Sequence, residues 1–63
     1  MRPRNQAVQE LYAHGYILKR HGGRHDIYYN PVSKTIIPLK RHDFDETDLK
    51  YIQREIASQE DQK

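Results

Sequence analysis

The chain has no cysteine among its 63 residues, which excludes a disulfide framework and a thiolate zinc site as ways of stapling it. Long apolar runs are missing too. The longest are two or three residues, as in Tyr16-Ile17-Leu18, so neither a transmembrane helix nor a signal-peptide core is expected. Serine occurs only at Ser33 and Ser58, which leaves no credible nucleophilic triad. Gly22-Gly23 has neither the spacing nor the following Lys-Ser/Thr of a phosphate-binding glycine loop. A chain this short excludes a multi-domain enzyme. It buries only about 60% of the surface its unfolded form exposes, so one marginal domain, residues 1–63, leaning on a partner is the expectation. The protein is expected to be soluble and cytoplasmic, with no membrane association.

What is present is charge, unevenly placed. Lys+Arg 11 against Asp+Glu 9 leaves a net charge of only +2. Residues 1–42 nevertheless carry eight Lys and Arg against Glu10 and Asp26, a net +6, whereas residues 43–63 carry three against seven carboxylates, a net −4. A basic front and an acidic tail predict a surface that faces a polyanion. Five tyrosines add rings able to stack on bases, and equally able to serve a small core.

Periodicity predicts five elements. Ala7, Val8, Leu11 and Tyr12 form one helical stripe, with Pro3 in or ahead of the first turn, Asn5 as N-cap, and Gly15 as the left-handed stop. Tyr16 to His21 reads as a strand, Gly22-Gly23 as a hairpin turn, and His25 to Asn30 as the returning strand. Thr35-Ile36-Ile37 makes a third strand that Pro38 must end or confine to an edge. A second helix follows, capped by Asp45, with Glu46 and Asp48 in its first turn, Phe44 stapling onto Leu49, and Leu49, Ile52 and Ile56 buried. The well-ordered part is expected over about residues 5–57, with Ser58 to Lys63 frayed. The fold class is therefore α+β in two layers, order α-β-β-β-α, with both helices on one face of an antiparallel meander.

The chemistry concentrates in His21-Gly22-Gly23-Arg24-His25-Asp26-Ile27-Tyr28, where a turn sets two imidazoles and a guanidinium at the start of a strand. Cutting RNA without a metal needs a group that titrates near neutrality, to accept the 2′-hydroxyl proton or protonate the leaving oxygen, and a cation near the phosphate. His25 is the candidate for proton transfer. Water, His21, His42 or a tyrosine remains open as the second carrier. Arg24, Lys19, Arg20, Lys40 and Arg41 are candidate phosphate contacts, Tyr28 a candidate for stacking, and Gly22 and Gly23 the flexible support. His21 and His25 lie four apart, but glycines between them and the lack of a nearby third ligand argue against a metal site; no cofactor is expected.

These residues carry a resemblance. From Glu10 to Ile56, the pattern Gly15-Tyr16, Gly23-Arg24-His25-Asp26-Ile27-Tyr28, Ile36-Ile37-Pro38, His42 and Asp48-Leu49-Lys50-Tyr51-Ile52 resembles the HicA family of toxins from bacterial toxin-antitoxin modules, over about three quarters of the chain. The resemblance implies a fold similar to the double-stranded RNA-binding domain and an endoribonuclease that cuts messenger RNA, with a HicB-like antitoxin as partner. It implies His25 as the catalytic histidine, with Gly23, Pro38 and His42 at the family's glycine, proline and later histidine. Two departures stand out: Arg24 replaces the family's serine, and His42 follows Pro38 by four residues rather than two.

Two other readings follow from the same residues. One is an RNA-binding module without catalysis, and the other an inactive HicA-like domain that contacts only a protein. Alternation also sets His25, Ile27 and Tyr29 on one sheet face and Asp26, Tyr28 and Asn30 on the other. If Ile27 is core, His25 points toward the helices; a reachable His25 must then sit at the sheet rim.

Overall fold

A computed structural model describes residues 2–60. The elements are α1 (Pro3–Ala13), β1 (Ile17–His21), β2 (His25–Asn30), β3 (Thr35–Lys40) and α2 (Glu46–Glu60). The three strands form one antiparallel sheet in the order β1-β2-β3, the α-β-β-β-α architecture expected from the sequence.

Helix α1 starts three residues earlier than an Asn5 cap would allow. Arg2 is its N-cap, without a side-chain capping bond, and Pro3 takes the first helical position, where the missing N–H costs nothing. At the other end Gly15 adopts φ +89°. The amides of Gly15 and Tyr16 then bond back to the carbonyls of Tyr12 (3.1 Å) and Leu11 (2.9 Å), which closes the helix in a Schellman motif.

The core is Ala7, Leu11, Tyr16, Tyr28, Ile37, Leu39, Leu49, Ile52 and Ile56, with Val8, Leu18 and Phe44 packed against it. Both helices therefore cover the same sheet face. That face carries Asp26 and Tyr28 from β2 and Ile37 and Leu39 from β3, so Ile27 belongs to the opposite, open face with His25, Tyr29, Ile36 and Pro38. The conflict over His25 dissolves. Tyr28 fills the core, and His25 shares the open side with a half-buried Ile27.

Three details differ from expectation. Strand β3 extends past Ile37 to Lys40, with Pro38 paired to Ile27; of the two outcomes expected of Pro38, it is the edge strand that holds. The β1–β2 register slips between Leu18 and Arg20, a bulge that leaves Lys19 outside the ladder. Helix α2 persists to Glu60: the Tyr16 hydroxyl donates to Gln59 Oε1 at 3.1 Å and His14 pairs with Glu60, so Ser58 to Glu60 are not a frayed tail. The remainder of that tail, residues 61–63, lies outside the described residues. At the start of α2, Asp48 N–H donates to Asp45 Oδ1 (3.1 Å) and Asp45 N–H to Asp48 Oδ2 (3.0 Å), a reciprocal capping box.

Candidate functional site

Antiparallel order brings the β1–β2 hairpin and the exit of β3 to one end of the sheet. His25 pairs with Lys40 across β2 and β3, and Arg41 N–H donates to the Arg24 carbonyl at 3.1 Å. The result is a shallow cavity of about 330 Å³ lined by Arg24, His25, Lys40, His42 and Asp43. Four residues singled out in the sequence thus meet in one place, and His25 is exposed there.

The cations at this end are not equivalent. Lys40 Nζ donates to the Asp43 carbonyl at 3.0 Å and lies 3.5 Å from Asp48 Oδ2. Asp43 offers that carbonyl from a left-handed turn, φ 55°, a conformation that aspartate accepts more readily than most residues. Arg24 is exposed and forms no ion pair among the described residues. It is the guanidinium left available to an incoming anion.

Behind this surface lies a polar cluster centred on Asp26, which is 5% exposed. Arg4 Nη2 donates to its Oδ2 at 2.7 Å, His21 Nδ1–H donates to its Oδ1 at 3.0 Å, and Arg41 Nε stands 3.5 Å away. Burial by itself would raise the Asp26 pKa; the His21 hydrogen bond and the charges of His21, Arg41 and Arg4 outweigh it and hold the carboxyl below the usual range. Arg4 also donates through Nε to the Lys40 carbonyl (3.0 Å), and Arg41 through Nη1 to the Gly22 carbonyl (3.1 Å). Helix α1, the hairpin and the β3 exit are tied together through one carboxylate.

No family model, curated protein or solved structure matches this chain.

Two expectations about side chains need correction. Tyr28 is 4% exposed, its ring edge-on to Tyr12 with centroids 6.0 Å apart, and burial together with Tyr12 pushes its hydroxyl above the ordinary phenol range; it cannot stack on a base. His21 and Arg41 are exposed, and His21 turns Nδ1 and Arg41 turns Nε toward Asp26, so both also brace the scaffold. Lys19 and Arg20 belong to the open sheet face, away from the cavity, with Lys19 Nζ 5.0 Å from the centre of the Tyr29 ring. Neither Gly22 nor Gly23 takes a left-handed φ. A Cβ on Gly22 would overlap the His25 carbonyl oxygen, while Gly23 stands in open space.

Asp26 and Arg4 were not legible as a pair because 22 residues separate them. The available signal was alternation, which sets Asp26 on the face of Tyr28, where a carboxylate demands cationic partners. Among the described residues no three His, Asp or Glu side chains gather as a metal site would require, and no helix is long and apolar enough to cross a membrane.

Proposed function

We propose that this chain is an endoribonuclease of the HicA toxin kind, which cuts messenger RNA in the cytoplasm with His25 as a proton-transfer group and is silenced by a HicB-like antitoxin. The observation that carries the reading is the exposed His25 sharing one cavity with Arg24, Lys40 and His42. The α-β-β-β-α order supports it, being the order that the resemblance implies.

In this reaction the 2′-hydroxyl oxygen attacks the adjacent phosphorus and the bond to the 5′-oxygen breaks, giving a 2′,3′-cyclic phosphate and a 5′-hydroxyl. One proton leaves the nucleophile and one reaches the departing oxygen. Imidazole suits either transfer because its charge changes between pH 5 and 8. His25 takes one of the two, and His42, which lines the same cavity, is our candidate for the other. Arg24, where the family has serine, supplies a cation to the charge that builds on the phosphate. Lys40 contributes less, since Asp48 already draws on its ammonium.

The test compares wild type with His25→Ala for RNA cleavage in EDTA and for growth arrest on induction. Loss of a general acid or base predicts a fall of about a hundredfold or more, with an unchanged circular dichroism spectrum because His25 is exposed. Equal activity of the two proteins would remove His25 from its role. Salt-sensitive RNA binding without any cleaved product would instead favour the non-catalytic module, with the Lys19–Tyr29 pair on the open face as part of its contact surface.

A further inference from the structure

A second hollow adjoins the first. It holds about 180 Å³ and is lined by His25, Pro38, Lys40, Phe44, Asp48, Tyr51 and Ile52, so His25 and Lys40 form the wall between the two. The lining changes character across that wall. Arg24, His42 and Asp43 lie on one side; on the other are a proline, two aromatic rings, an isoleucine and Asp48. Tyr51 is 57% exposed, and the inward stripe of α2 is complete without it, since Leu49, Ile52 and Ile56 are the buried residues of that helix.

We infer that the hollow beside Tyr51 is a nucleobase subsite, which takes the base next to the phosphate held in the cavity of Arg24, His25 and His42. Its size suits one ring, being smaller than the roughly 300–1,000 Å³ of pockets that enclose a whole small-molecule ligand. Its aromatic wall offers the stacking that single-stranded nucleic-acid sites use. Asp48 disfavours a second phosphate: the Asp45 N–H bond and Lys40 outweigh burial and hold its carboxyl below the usual range, and a carboxylate accepts from an exocyclic amine. The alternation of cation, imidazole and ring across adjoining hollows matches the alternation of phosphate and base along a strand. This subsite rests on the reading that RNA enters the His25 cavity, but not on His25 performing catalysis.

The experiment therefore measures binding rather than cleavage. Single-stranded 2′-O-methyl oligonucleotides, which lack the attacking hydroxyl, carry 2-aminopurine at successive positions and are titrated with wild type, Tyr51→Phe and Tyr51→Ala. Wild type and Tyr51→Phe should bind alike and quench one position by stacking. Tyr51→Ala should bind about tenfold more weakly, the loss of one stacked base, and lose that quench. Equal affinity and quenching in Tyr51→Ala would overturn the subsite while leaving the His25 cleavage result standing. Absence of oligonucleotide binding by wild type would overturn both the subsite and the RNA reading.

Discussion

Asp26 shows how much of this site rests on one side chain that faces away from it. Its carboxylate receives Arg4, His21 and Arg41, drawn from helix, hairpin and strand exit. Asp26→Asn keeps the shape and removes the charge, and should destabilise the fold by about 1–2 kcal/mol at neutral pH, near the lower end for charged hydrogen bonds because the cations are part-exposed. The pH dependence has a definite sign. A carboxyl with a folded pKa below its unfolded one stabilises above the unfolded value, ordinarily about 3.9, and that gain disappears as pH falls through the folded pKa. Urea midpoints of wild type and variant should therefore converge between about pH 5 and pH 2; a gap that persists undiminished in acid would show that packing, not ionisation, is what Asp26 contributes.

At the scale of elements, the hairpin between β1 and β2 decides where His25 stands. Gly22→Ala must push the His25 carbonyl aside, whereas Gly23→Ala adds a methyl to empty space, so the first should cost about 1–3 kcal/mol and the second little. Thermal melts of the two variants check this, and equal midpoints would mean that the loop shifts freely. Local patterns made most of the fold legible: the Asp45 cap, the Leu49-Ile52-Ile56 stripe and the Gly15 stop each lie within a few residues. The Ile27-Tyr28-Tyr29 run did not reveal its inward face, because three apolar-capable residues in a row erase the period-two signal. With Tyr28 and not Ile27 facing inward, Tyr28 is lost to stacking and His25 stands on the open side. The Asp26 cluster and the Lys19 bulge depend on partners across the sheet, beyond the reach of any local window, while the meeting of Arg24, His25, Lys40 and His42 followed from strand order once the meander was recognised.

For the molecule as a whole, the charge imbalance resolves into a place. Cations gather at the hairpin end and on the open face, while Glu46, Asp48, Glu55 and Glu60 lie along α2. Under the proposed function, an RNA strand entering from the hairpin side meets few carboxylates before Asp43 and Asp48. If about three phosphates are neutralised, the logarithm of the binding constant should fall with the logarithm of salt at a slope near −2; titrations at several salt concentrations measure it, and a slope near zero would show that the basic surface does not carry binding.

The sheet also has two edges that a stray strand could lengthen, and each carries a feature that discourages it. Lys19 bulges out of β1 and Arg20 follows it, while Pro38 in β3 has no N–H to donate. Charge, irregularity and a missing donor are the means by which native sheets escape edge-to-edge association. A fourth strand is therefore disfavoured at either edge, and the face and rim of the sheet are the easier approach for a visitor.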